Sequence, residues 1–333
     1  MSVLKAFHER YWGSVRESID ALMSHEDFNP FAADMIRYQL STGGKRIRPL
    51  LVLMTSEAFG GDIDPCIPFA ATVELIHNAS LVHDDIQDRD TTRRGRPSAW
   101  VAFSTEQAIN LGDMLFVLGF EAFAGMRVPD ALKLDVIKLT IRAIGELVDG
   151  QIYEFVLKER DEVSVDDYFR LVSGKTGSLF RLALAGGHAL ASDGRRLERE
   201  MRTLGELVGA LFQLRDDLLD VLGRKEGRPA GSDVGEGKIA FPAVHYMSTA
   251  PGPDRKRLVE ILRLPRDRTD GGAIAEVLGR YREKGSIRAA YDAYASRREQ
   301  ILSLDVLGAH PALRERIAEV LEELDPGVEV KDL

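Results

Sequence analysis

Cysteine is almost missing: 333 residues hold a single one, Cys66. A lone thiol closes no intrachain disulfide and builds no cysteine zinc cluster, which suits a reducing compartment. Cys66 itself reads as a small buried hydrophobe. Positive charge is also in deficit. The formal net charge is -9, which argues against a nucleic-acid partner, because such binders carry a basic face. No apolar run reaches the ~18 residues of a membrane-spanning helix. The first 20 residues are charged throughout and lack the apolar core of a signal peptide. A cytoplasmic protein is therefore expected. Strict apolar–polar alternation is nearly absent, so no sheet is expected. There is no long low-complexity linker, and no repeat of about 20–50 residues.

What remains is helix. Segments 3–24, 68–88, 106–126, 130–158, 166–192, 197–222, 273–303 and 311–324 carry Leu, Ile, Val and Ala at three- and four-residue spacing. Prolines such as Pro30, Pro65, Pro129 and Pro251 fall between segments and punctuate them. Segments 223–238 and 249–272 read as charged loops. With 44% hydrophobic residues, the chain can bury a large core. The reading is a single all-α domain over 1–333.

Two stretches carry chemistry. In "LVHDDIQDRDTTRRGRP" (81–97) the charges are sorted: Asp84, Asp85 and Asp88 come first, Arg93, Arg94 and Arg96 after. On a helix, Asp84 and Asp88 lie about 40° apart on one face, with His77 about 20° from Asp84. Like charges at this spacing repel and need cations. Carboxylates without cysteine suit a hard cation such as Mg2+, which commonly bridges to a substrate phosphate. Alone, this is also what an acidic helix end on the surface looks like. The second stretch, "FQLRDDLLD", repeats the D-D-x-x-D spacing at Asp216, Asp217 and Asp220, again at the end of an apolar helix. Two such clusters on long helices can face each other across a bundle cavity. On the same face as the second cluster, Phe212, Gly209 and Gly205 fit either close helix packing or room for an apolar tail.

Basic elements accompany them. "GGKRIRP" offers Lys45 and Arg48 beside the turn-forming Gly43 and Gly44, suited to gripping an anion. "SGKTGS" (173–178) resembles the end of a P-loop, but Phe169 stands where that motif needs glycine, and no strand precedes it. Lys175 and Thr176 remain phosphate-contact candidates. "GRPAGSDVGEGK" (227–238) is a glycine-rich charged loop that could close over a ligand, within a lid at 223–240.

In order, "GGKRIRP", "ELIHNASLVHDDIQD", "TTRRGRP", "INLGDMLF", the pair Gly150–Gln151, "KTG", "FQLRDDLLD" and "GRPAGSDVGEGK" resemble the trans-isoprenyl diphosphate synthase (polyprenyl synthetase) family, which includes geranylgeranyl and farnesyl diphosphate synthases. The resemblance implies an isoprenoid synthase-type bundle of mostly antiparallel helices around a deep central cavity, usually a homodimer. It implies Mg-dependent head-to-tail (1'-4) condensation of isopentenyl diphosphate with an allylic diphosphate (dimethylallyl, geranyl or farnesyl). By the resemblance, Asp84, Asp85, Asp88, Asp216, Asp217 and Asp220 hold about three Mg2+ ions. Arg93, Lys175, Thr176, Gln213, Arg228 and Lys238 serve the allylic diphosphate and the reacting carbons. Lys45, Arg48, His77 and Arg94 serve isopentenyl diphosphate. Arg228 stands where the family commonly has lysine, which keeps the charge but changes its geometry.

By the same resemblance, chain length is expected to follow from the residues just before the first motif. Ala79 and Ser80 are small where bulky aromatics would stop growth early. The tail should pass Ile76, Ala79 and Ser80 and meet Phe116 and Phe120. The expectation is C20 geranylgeranyl diphosphate, with C25 or longer, or C15, as alternatives. Rivals of another kind are a terpene cyclase, a non-catalytic lipid-binding bundle, and the inactive subunit of a heteromeric synthase. The second D-D-x-x-D motif and "GGKRIRP" count against the cyclase, and the intact aspartates count against the inactive subunit.

Overall fold

The structure, a computed structural model, describes residues 3–24, 28–192, 196–225 and 227–329. Position 226 of the expected lid, and the ends of the expected 1–333 domain, lie outside the described residues. The helices run α1 (Val3–Leu22), α2 (Pro30–Leu40), α3 (Ile47–Ala58), α4 (Cys66–Gln87), α5 (Ala99–Ala102), α6 (Thr105–Glu121), α7 (Asp130–Lys158), α8 (Val165–Val172) and α9 (Ser178–Ala191). They continue as α10 (Glu198–Val221), α11 (Ser232–Gly235), α12 (Phe241–Thr249), α13 (Gly252–Leu262), α14 (Gly271–Glu283), α15 (Ser286–Leu302), α16 (Asp305–Ala309) and α17 (Pro311–Glu323). The all-α expectation holds.

Local chemistry explains the departures from the sequence reading. The segment 249–272, expected as loop, contains α13. Its Pro253 suits a first helical turn, and Leu258, Val259, Ile261 and Leu262 are buried. Its arginines hid this amphipathic face. The segment 273–303 breaks at Gly285, whose φ is +69°. The segment 166–192 is interrupted by a π-helical turn, Ser173–Gly177, over "SGKTG"; such turns are frequent at functional sites. One ribbon contradicts the expectation of no sheet. β1 (Thr92–Arg93) pairs antiparallel with β2 (Arg96–Pro97). Arg94 and Gly95 between them have φ of 52° and 76°, the left-handed pair that closes a two-residue hairpin.

Contacts gather the chain into two compact units. The first comprises Met1–Ile144, Leu179–Gly205 and Val306–Val320. Its central helix is α4, which packs on α1, α3 and α6. Phe69, Val73, Leu75, Ile76, Ala79 and Val82 of α4 are fully buried. Glycines let α6 approach: a Cβ on Gly119 would lie 3.2 Å from Ile76 Cγ1. Thr105–Gly125 is long and apolar enough to cross a membrane by composition, yet 44% of that stretch is buried inside the protein. Close packing is also the answer at Gly205. A Cβ there would lie 2.6 Å from the Arg181 backbone, which leaves no room for a tail at that level. Cys66 is fully buried, as expected, and burial pushes its thiol up to about 11.

The second unit comprises Gly145–Ser178, Glu206–Asp305 and Leu321–Leu333. Here α12 packs on α8 and α15, around Tyr168, Tyr246, Tyr281, Leu214 and Leu218. The π-turn lies against α7 at two glycines. A Cβ on Gly150 would sit 2.3 Å from Lys175 N and 2.6 Å from Gly174 C. Backbone atoms cannot yield as a side chain can. Gly150→Ala is therefore expected to cost about 1–3 kcal/mol of stability, measured by urea denaturation. An unchanged midpoint would show that this contact is loose.

Candidate active site

The first acid cluster ends α4. Fully buried apolar residues anchor the helix, and its last turn carries the carboxylates. Arg93, delivered by the hairpin, grips them. Its Nε donates to Asp85 Oδ1 at 2.9 Å, and Nη2 bonds the same oxygen. Nη2 also lies 3.8 Å from Asp84 Oδ2 and 3.9 Å from Asp90 Oδ2. Burial pushes the Asp85 carboxyl up, and Arg93 pulls it partly back, leaving it at about 6. Burial opposes the Arg93 charge, but the neighbouring aspartates outweigh it and raise its pKa.

The same hairpin meets the "GGKRIRP" turn. Arg94 Nη1 donates to Gly43 O. Arg96 donates to Ser41 Oγ at 2.6 Å and stacks over the Tyr38 ring, while Tyr38 OH donates to Pro97 O at 2.7 Å. Arg46 is buried and left-handed, with φ 50°. Its guanidinium bonds Glu74 and the Leu40 carbonyl and lies over Trp12. Lys45 beside it stands exposed. Arg48 lies over the Phe180 ring, with Nη1 3.3 Å from His77 Nε2. Burial, then Arg48, Arg94, Arg46 and Arg93, push His77 well below its usual pKa. The imidazole is thus neutral at pH 7 and accepts from Arg48. Burial lowers Arg48 itself to about 10. Lys45, Arg48, His77 and Arg94 are all drawn into this one region of the first unit.

In the second unit the three aspartates of α10 have different surroundings. Asp217 is buried and takes three donors: Tyr168 OH at 2.8 Å, Phe241 N–H at 2.8 Å and Gln213 Nε2 at 2.9 Å. Gln213 Oε1 accepts from Thr176 Oγ1 at 2.9 Å. Burial, helped by Asp233, still pushes Asp217 up to about 7. Asp220 is also buried; it accepts from Ser232 Oγ and from Asp233 N–H at 3.2 Å. Burial and then Asp233 push it up to about 6. Asp216 is 32% exposed and pairs with Lys225 at 2.7 Å. Burial alone would lower the Lys225 ammonium, but Asp216 and Asp233 outweigh it and raise it. Lys175 pairs with Glu154. Arg228 and Lys238 both pair with Glu236, Arg228 at 2.8 Å.

The residues expected to set chain length are spread over α4 and α6. Ile76 and Ala79 are fully buried. Ser80 is half-buried and donates to His77 O at 2.7 Å. The Phe116 ring lies 6.0 Å from His83. Phe120 is 37% exposed, on the same face as Ile109 and Val117.

Among the described residues, no three Asp, Glu, His or Cys side chains converge into a preformed metal cage. The donors nonetheless fit Mg2+, which takes one or two carboxylates and completes its shell from water and substrate phosphate. Asp85 Oδ2 is buried without a hydrogen-bond partner among the described residues. The sequence reading missed the partners. Tyr168 reads as a core aromatic, Glu154 as one more helix charge, and Lys225, Asp233 and Glu236 as loop charge. Their only signal was closeness in sequence to a motif.

The chain is similar to known proteins over most of its length. The Polyprenyl synthetase family profile matches residues 29–280. A short chain isoprenyl diphosphate synthase from Methanothermobacter thermautotrophicus is 32% identical over 98% of this chain and 94% of its own. A geranylfarnesyl diphosphate synthase from Aeropyrum pernix is 34% identical over 67% of this chain and 71% of its own. A crystal structure of geranylgeranyl pyrophosphate synthetase from Pyrococcus horikoshii superposes with a TM-score of 0.86 and 31% identity, covering 98% of both chains. The chain belongs to the polyprenyl synthetase family. It is a prenyltransferase that makes trans-prenyl diphosphates.

The asymmetry within the second motif is testable by stability. Tyr168→Phe leaves a buried carboxylate short of one donor and is expected to cost about 1–3 kcal/mol. Asp216→Ala removes a partly exposed pair and should shift the urea midpoint much less. Equal shifts would contradict the division between a buried hub and an outward carboxylate.

Proposed function

We propose that this enzyme condenses isopentenyl diphosphate with an allylic diphosphate, dimethylallyl, geranyl or farnesyl, to give C20 geranylgeranyl diphosphate. The observation that carries the reading is the Thr92–Pro97 hairpin, which sets Arg93 on the first aspartate cluster and Arg94 on the Gly43–Gly44 turn. Neighbouring guanidiniums thereby serve two anions. Asp84, Asp85, Asp88, Asp216, Asp217 and Asp220 are the proposed carboxylates for about three Mg2+ ions, which when bound supply Lewis-acid stabilisation of the leaving diphosphate. Arg93, Lys175, Arg228 and Lys238 bind and orient the allylic diphosphate, with Thr176 and Gln213 near the reacting carbons. Lys45, Arg48, Arg94 and neutral His77 hold isopentenyl diphosphate without metal. The 223–240 segment closes over the site, keeping water from the carbocation. In this reading 1–333 acts as one cytoplasmic synthase domain.

Incubation with Mg2+, isopentenyl diphosphate and farnesyl diphosphate tests the reaction. Asp84→Ala or Asp216→Ala should lower kcat by several orders of magnitude while circular dichroism stays native. Near-normal turnover in either variant would remove the metal assignment.

Product length follows from Ser80, whose small side chain lies on the aspartate side of α4, about 40° from Asp84. Chromatography of the dephosphorylated products should show C20, and Ser80→Phe should shorten them by filling the tail's path. A wild-type product of C15 or less, or no change in Ser80→Phe, would overturn this.

A homodimer is supported by exposed apolar residues on two helices: Ile109, Val117 and Phe120 on α6, and Ile141, Val148 and Ile152 on α7. Such faces mark association surfaces. Light scattering should give twice the chain mass, and Val117→Glu with Ile152→Glu should give monomers. A monomeric wild type would contradict it.

A further inference from the structure

The second aspartate motif carries its own cation. Lys225 Nζ lies 2.7 Å from Asp216 Oδ2 and 3.4 Å from Asp233 Oδ1, with the side chain only 18% exposed. Its position is not that of a wandering surface lysine. The chain turns back at the end of α10, where Gly223 takes φ +66°. Gly223 N–H donates to Asp220 O at 3.1 Å, and Arg224 N–H to Leu219 O at 2.8 Å. This helix-ending turn returns Lys225 toward the motif. The other two carboxylates are already engaged, Asp217 by three donors and Asp220 by Ser232 and Asp233 N–H. Asp216 is the outward one, and Lys225 covers it.

We infer that Lys225 is a tethered counter-cation that holds Asp216 in the free enzyme and competes there with divalent metal, so that this motif takes up metal together with a diphosphate rather than before it. The inference rests on the proposed metal role of the motif. A dication and an ammonium on one carboxylate repel. The negative charge of a diphosphate offsets that crowding. Asp233, already 3.4 Å away and lying 4.0 Å from Lys238 Nζ, receives Lys225 when it leaves. The exchange therefore strands no buried charge, which would otherwise be costly.

Mn2+, a paramagnetic probe for the Mg2+ site, tests this by electron paramagnetic resonance titration of the full chain with and without inorganic diphosphate. Without diphosphate, Lys225→Met should bind Mn2+ roughly tenfold more tightly than wild type, the size of one partly screened charge contact. Saturating diphosphate should shrink that difference. Lys225→Arg keeps the charge and should stay near wild type. Lys225→Gln repeats the test if the Met variant fails to fold. A lysine that only braced the loop would give, on removal, a change in Mn2+ affinity that diphosphate does not alter. Unchanged or weaker Mn2+ affinity in a folded neutral variant overturns the inference while leaving the metal reading standing. A wild type that takes up no Mn2+ even with diphosphate overturns both.

Discussion

Carboxylates packed at the end of an apolar helix repel one another, and partial burial makes each charge harder to sustain. A counter-charge held at short range is the condition under which such a cluster stays ionised. In this enzyme the first cluster receives a guanidinium: Arg93 lies within reach of Asp84, Asp85 and Asp90. The second receives an ammonium, since Lys225 bridges Asp216 and Asp233. The neighbouring structure serves to put those two cations in place.

The means are local and inexpensive. Two left-handed residues, Arg94 and Gly95, fold the segment after α4 back so that Arg93 faces the helix it has just left. Gly223 does the same for Lys225 after α10. The π-turn at Ser173–Gly177 sets Thr176 against Gln213, and bare glycine at 150 lets the backbones of α7 and this turn meet. Each turn sets one charged or hydroxyl side chain on its partner: Arg93 on Asp85, Lys225 on Asp216 and Thr176 on Gln213.

Within the second motif the three aspartates divide their labour. Asp217 joins α8, α10 and the start of α12 through Tyr168, Gln213 and Phe241. Asp220 secures the loop at Ser232 and Asp233. Asp216 remains the carboxylate turned outward. Such an arrangement ties Asp217 and Asp220 into the frame and leaves Asp216 the more exposed of the three.

The sequence by itself determined the helical class, the family, the two aspartate motifs and the basic segments beside them. Those features are periodic or local: a 3.6-residue apolar repeat and a five-residue spacing need no partner to be seen. It misread α13, because Arg255, Arg257 and Arg263 masked a buried face whose value depends on what packs against it. It also could not rank Asp216, Asp217 and Asp220. Only the tertiary structure decided that Tyr168, about 50 residues away in sequence, fixes one of them, and that Lys225 covers another. The spacing D-D-x-x-D fixes angles around one helix, whereas burial and counter-charge are set by side chains that arrive from elsewhere in the chain.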